Sequence, residues 1–235
     1  MGFDTLIVNG TVVDGTGKPS YKGDVGITDG KIVAIGALSD SEAARKIDVA
    51  GHVIAPGFID MHAHSDVTML DDPGGESKAY QGVTTEVSGN CGSTPYPAGV
   101  LGTGEALREK QPTHPIPHSP TKWAWKDLDS WANYTEDAGI SLNIVPQVGH
   151  SSLKRAAGAP FSRPADADEL ALMRRLAAEA IEQGAAAVSN GLTGAHFENA
   201  PTSEIIELVK AVAPYENAFY STHPRLAGGW HFKAV

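Results

Sequence analysis

Two histidines separated by one residue, His62 and His64, stand at the end of the apolar run Phe58-Ile59-Asp60-Met61. Side chains two apart on a strand project from the same face, so both imidazoles can converge on one metal ion. Imidazole nitrogen suits zinc and its first-row neighbours. The flanking Asp60 and Asp66 are able to accept a ring N–H and fix an imidazole tautomer, though strand ends also carry such residues. Cys91, the only cysteine, follows another apolar run in Val87-Ser88-Gly89-Asn90-Cys91-Gly92. A lone cysteine commonly fills a small apolar gap. At a strand end among glycines, however, a cation can hold it as a thiolate ligand. His223 closes a third run, Ala218-Phe219-Tyr220-Ser221-Thr222-His223, and His150 closes a fourth in Val148-Gly149-His150. His150 either lines a substrate pocket or is a structural histidine. His52, His196 and His231 lack such a setting and read as surface or loop residues.

These residues need a sheet whose strands all end on one side. Residues 1–55 read as a small all-β portion: Leu6–Val8 and Thr11–Val13 around an Asn9-Gly10 hairpin signal, a second pair around Thr28-Asp29-Gly30, and pieces near Lys46–Val49 and His52–Ile54. After Pro56 the pattern changes to short apolar runs with little alternation, as in strands buried on both faces. They recur at Val83–Val87, Ile140–Val148, Ala185–Val188 and Ala218–Tyr220. Amphipathic helices fall between the later ones. Asp166 and Glu169 form a capping box ahead of an apolar stripe through Met173, Ala177 and Ala180. Leu128–Thr135 and Ile205–Val212 make two more. Strands alternating with helices imply a parallel sheet, whose ligand sites gather at the carboxyl ends of the strands. Residues 92–125 break the rhythm, because Pro112, Pro115, Pro117 and Pro120 forbid regular structure there. A long loop of this kind, with His114, His118, Trp123 and Trp125, either covers an active site or is an exposed insertion.

Composition narrows the function classes. The 235 residues carry a net charge of −10, 41% hydrophobic and 20% charged residues, which fits a folded chain rather than a disordered one. An acidic chain without a basic run argues against nucleic acid as a partner. No apolar stretch approaches the roughly 20 residues of a membrane helix, and the N-terminus lacks an export signal. One cysteine excludes an internal disulfide. The expectation is a soluble, cytoplasmic protein.

Together these motifs resemble the metal-dependent amidohydrolase superfamily, and within it the N-acyl-D-amino-acid deacylases. Ala55-Pro56-Gly57-Phe58-Ile59-Asp60-Met61-His62-Ala63-His64-Ser65-Asp66 is similar to the superfamily's first-strand signature. Gly82-Val83-Thr84-Thr85 with Gly89-Asn90-Cys91-Gly92 narrows the match to the branch with a cysteine ligand. Asn143–Arg155 and Thr222-His223 with Arg225 are similar to two later motifs. The resemblance implies an α/β fold: a β-sandwich portion over 1–55, then an incomplete (β/α)8 TIM-type barrel of about five strand-helix units over 56–235. It implies zinc as cofactor, with one tight site at Cys91 and His223 and a second, weaker one at His62 and His64. The implied reaction hydrolyses a small-molecule N-acyl-D-amino acid, zinc polarising the amide and acidifying water while a carboxylate moves the proton.

The family's catalytic aspartate would lie beyond Val235, and a barrel of this type takes about 250 residues. The chain is therefore expected to be a truncated, inactive piece, with an open barrel edge through which it forms oligomers. A cyclic-amide hydrolase of the dihydroorotase or hydantoinase kind is the alternative enzyme, disfavoured because Ala185–Leu192 contains no lysine to bridge two metals. The alternative outside enzymes is a non-catalytic metal-binding or oligomer-forming fragment.

Overall fold

Burial alternates along β1 (Phe3–Val12), where Leu6, Val8, Gly10 and Val12 are buried and the residues between them less so. In the computed structural model, which describes residues 2–110, 119–192 and 200–225, β1 pairs antiparallel with β2 (Tyr21–Thr28), and β2 with β3 (Lys31–Gly36). The strands β4 (Ala43–Asp48) and β5 (Val53–Ile54) run parallel to β1. One expectation is corrected here: Asn9-Gly10 turns no hairpin. Asn9 sits in the left-handed region (φ 64°) at a register shift between Ile7 and Gly10, so the strand bulges and continues. Asp24 Oδ1 accepts the Asn9 N–H at 2.9 Å and replaces the ladder bond that the bulge removes.

The chain divides into two compact units, Met1–Gly57 and Phe58–Val235. The second opens with β6 (Phe58–Asp60), then two short helices, α1 (Thr68–Asp71) and α2 (Glu76–Ala79). It continues through β7 (Val83–Ser88), α3 (Gly104–Glu109), α4 (Leu128–Ala138) and β8 (Asn143–Gly149). Next come α5 (His150–Ala156), α6 (Ala167–Glu182), β9 (Ala187–Gly191), α7 (Thr202–Val212) and β10 (Phe219–His223). The strands β6 to β10 pair parallel and in chain order, an α/β half-barrel sheet. Their carboxyl ends consequently face one way.

Helix α6 forms where a cap and an apolar stripe agree. Asp166 Oδ1 accepts the Glu169 N–H at 3.0 Å and Glu169 Oε2 accepts the Asp166 N–H at 2.8 Å, a reciprocal box that starts α6. Its buried Met173, Leu176, Ala177 and Ala180 pack with Leu208 and Val212 of α7 and Val148 and Val188 of the sheet. Two further corrections concern residues 92–125. Thr103 caps α3, a helix ahead of the prolines, by accepting the Ala106 N–H at 3.2 Å. Trp123 and Trp125 belong to the core; they stack at 5.7 Å, and Trp125 Nε1 donates to the Pro95 carbonyl at 2.8 Å. Their indoles gain more from burial than from capping a pocket. His114 and His118 lie outside the described residues, as do His196 and His231. Among the described residues, no helix is long and apolar enough to cross a membrane.

Candidate metal centre

The strand β6 ends at Asp60, and the chain continues beside β7 through the hydrogen bond from Ala63 N–H to the Val87 carbonyl at 3.0 Å. That bond holds the His-Ala-His segment against β7 past the end of β6. The rings of His62 and His64 lie 5.2 Å apart, centre to centre, at 65°. Cys91 occupies a tight turn just after β7, with Gly89, Cys91 and Gly92 all in the left-handed region (φ 80°, 55° and 79°). Glycine tolerates this conformation; for Cys91 it costs about 1–2 kcal/mol. The turn is held by Gly92 N–H donating to Ser189 Oγ at 3.2 Å, by Ser189 Oγ donating to the Gly89 carbonyl, and by Ser151 Oγ donating to the Gly92 carbonyl.

The turn presents the thiol between two imidazoles. Cys91 Sγ lies 3.3 Å from His62 Nε2 and 3.7 Å from His223 Nδ1, at the end of β10. Ligand atoms of His62, His64 and Cys91 all lie within 4.8 Å of one another. Tetrahedral bonds of about 2.0 Å to nitrogen and 2.3 Å to sulfur put the two donor atoms about 3.5 Å apart. The observed separations straddle that value, so the donor set fits zinc. Burial and the neighbouring His62 charge lower the His64 pKa, which favours the neutral, lone-pair form. Burial pushes the Cys91 thiol up, so the sulfur needs a cation to stay ionised.

The remaining candidates sit elsewhere. His150 is buried at the start of α5, its Nε2 2.8 Å from Glu204 Oε1 on α7. Lys154 Nζ reaches the same carboxylate at 3.1 and 3.2 Å, and Ala165 N–H donates to it at 2.7 Å. The ring is buried, with Nε2 engaged by Glu204 and Nδ1 without a hydrogen-bond partner among the described residues, and the Glu204 and Lys154 contacts suit a structural histidine. Burial alone would raise the Glu204 pKa; hydrogen bonds from His150 and Ala165 and the nearby positive charges outweigh it and bring it to about 2. Asp60 accepts the backbone N–H of His62 at 3.0 Å, not its ring, and pairs with Lys78. The Lys78 hydrogen bond holds the Asp60 carboxyl below its ordinary range. Asp66 is buried, and that burial, with a smaller push from the Glu86 charge, raises it to about 6. Sequence reasoning passed over Glu86, which is buried beside Lys78 (3.4 Å) and accepts the Ser65 hydroxyl. A charged residue inside the apolar run of β7 was the available signal.

The amidohydrolase family matches residues 45–218. A D-aminoacylase of Alcaligenes xylosoxydans xylosoxydans is 35% identical over 96% of this chain and 45% of its own length. Among solved structures, the N-acyl-D-glutamate deacylase of Bordetella bronchiseptica, complexed with zinc and a phosphonate mimic of the tetrahedral intermediate, superimposes with a TM-score of 0.86. It is 30% identical, covering 100% of this chain and 48% of that one. A D-aminoacylase with a binuclear metal centre gives a TM-score of 0.85 and 35% identity over 99% of this chain and 47% of its own. The chain thus spans about half the length of the relatives it matches.

Proposed function

Because this chain belongs to the amidohydrolase family, we propose that it carries the zinc-holding part of a deacylase that splits N-acyl-D-amino acids into a carboxylate and a free D-amino acid. The observation that carries this reading is the meeting of His62, His64, Cys91 and His223 from three strand ends. It meets that condition in a chain 35% identical to a D-aminoacylase along nearly its whole length. Cys91 and His223 take the tight zinc, and His62 and His64 serve a second, weaker position. The thiol lies within reach of both positions, 3.7 Å from His223 Nδ1 and 3.3 Å from His62 Nε2; the division itself follows the family resemblance. When bound, zinc supplies Lewis-acid polarisation of an amide carbonyl and acidifies a water. The protein's own work is to hold donors in place: the turn at 89–92 aims the thiol, the Asp60 carboxylate fixes the backbone of His62, and β10 delivers His223.

The test measures zinc per chain after exhaustive dialysis, for the wild type and for Cys91→Ala and His223→Ala. Both variants are expected to lose the tightly held ion, and full occupancy in both refutes the ligand assignment. Release of D-amino acid from an N-acetyl-D-amino acid, by a protein containing this segment, tests the reaction. Zinc binding in a defined oligomer without turnover would point to the non-catalytic alternative.

A further inference from the structure

The Asn90 side chain lies between all three ligand-bearing segments. Its Nδ2 donates to the Val87 carbonyl at 2.8 Å and to the Ala63 carbonyl at 3.3 Å, and its Oδ1 accepts the Ser221 hydroxyl at 3.2 Å. Ala63 is the residue between His62 and His64; Val87 belongs to the strand that leads to Cys91; Ser221 stands two residues before His223 on β10. Residues two apart on a strand share a face, so Ser221 and His223 project together. Asn90 meets the first and Cys91 meets the second. The amide is 1% exposed, and both its donors and its acceptor are in use. Neighbouring bonds stiffen the far side: Thr222 Oγ1 donates to Asn190 Oδ1, and Asn190 Nδ2 to Tyr220 Oη, each at 2.6 Å.

We infer that Asn90 is a positioning residue that fixes the spacing of His62 and His64, Cys91 and His223 and so tunes the affinity and symmetry of the metal site. The inference rests on the ligand reading above. A planar primary amide suits the task because it supplies two donors and an acceptor in fixed directions. Losing it leaves the buried Ala63 carbonyl without this partner, and the His-Ala-His segment is then free to shift relative to the turn. Asn90→Asp is the sharper change, since it keeps the shape but turns an oxygen toward two carbonyl oxygens.

The experiment titrates the 235-residue chain with Co(II) and follows the thiolate-to-cobalt charge-transfer band and the ligand-field bands, with Zn(II) affinity measured by competition. Melting of each metal-free variant is recorded alongside. Asn90→Ala and Asn90→Asp are expected to bind about 10- to 100-fold more weakly, the range for residues that orient metal ligands, with altered ligand-field bands. Ser221→Ala, which removes one of the three links, is expected to weaken binding roughly 2- to 10-fold. It keeps the inference testable if Asn90 variants do not fold. Thr135→Ala, a buried hydroxyl that among the described residues bonds only to its own helix at the Trp131 carbonyl, controls for general destabilisation and should keep affinity and spectrum. Asn90 variants, or Ser221→Ala standing in for them, that keep wild-type affinity and bands overturn the inference. So does a loss no larger than Thr135→Ala shows for the same drop in melting temperature. A wild-type chain that binds no cobalt instead overturns the ligand reading, and the inference with it.

Discussion

Cys91 carries two burdens at once, a donor atom and a left-handed backbone, and substitution separates them. Cys91→Ala removes the thiol but keeps the strained conformation, whereas Cys91→Gly removes both. Neither variant is expected to hold the tight zinc. Without metal, Cys91→Gly is expected to unfold at higher denaturant than Cys91→Ala, by about 1 kcal/mol, because only it escapes the cost of a Cβ at φ 55°. Chemical denaturation of the two apo variants measures the difference, and equal midpoints would remove strain from the account of this turn. The four residues that meet were legible as candidates in the sequence because metal-ligating chemistry is concentrated in a few residue types. His-X-His after an apolar run, one cysteine among glycines and a histidine at a strand end leave few other assignments. Asn90, Ser189 and Ser221 were not legible, since small polar residues near glycines look the same in any loop. Apart from Val87, their partners named above lie 27 to 131 residues away. For His150, the deciding neighbour was Glu204, which in sequence is an ordinary acidic residue in the first turn of a helix.

Between elements, two kinds of contact can be tested, one steric and one electrical. Gly149 ends β8 and Gly191 ends β9, and a Cβ on Gly149 would lie 2.4 Å from the Gly92 carbonyl while one on Gly191 would lie 2.5 Å from the Cys91 carbonyl. Those contacts are backbone and have no rotamer to yield. Gly191→Ala is therefore expected to cost about 1–3 kcal/mol and to lower zinc affinity by shifting Cys91; denaturation and zinc competition together check it. The second contact is electrical. Glu204 ties α7 to His150 and Lys154 of α5, and its folded pKa of about 2 lies below the ordinary carboxylate value. A depressed carboxylate contributes stability above its unfolded pKa and loses it as pH falls toward its folded one. The wild type should lose stability from about pH 4.5 down to about pH 2. Glu204→Gln should flatten that limb and cost about 3–5 kcal/mol at pH 7, because it leaves Lys154 buried without its partner. Urea unfolding across pH reads both effects, and an unchanged acid limb in the variant rules the pair out as its source. Strand and helix order was legible here wherever caps and stripes coincided, as in α6. The bulge at Asn9 and the helix α3 were not, because asparagine–glycine serves bulges as well as hairpins, and α3 is too short to show a stripe.

Over the whole molecule, the parallel sheet runs from β6 to β10, and among the described residues neither outer strand has a second neighbour. Phe58 and Ile59 on one edge and Phe219 and Tyr220 on the other are exposed. Uncovered apolar edges pair with other chains. The 235-residue chain is expected to gain weight-average mass with concentration in sedimentation velocity, and Ile59→Lys to reduce that gain; a concentration-independent monomer would dismiss the edges as contacts. The donors are also unevenly spread along the chain. His62, His64 and Cys91 fall within a short early stretch, and His223 comes 132 residues after Cys91. At about 5–20 residues per second, synthesis separates the third donor from the fourth by roughly 7 to 26 seconds. A growing chain thus carries three of these four residues before Ser151 and Ser189, which hold the Cys91 turn, have been made, so the four can meet in this geometry only once β10 has been synthesised.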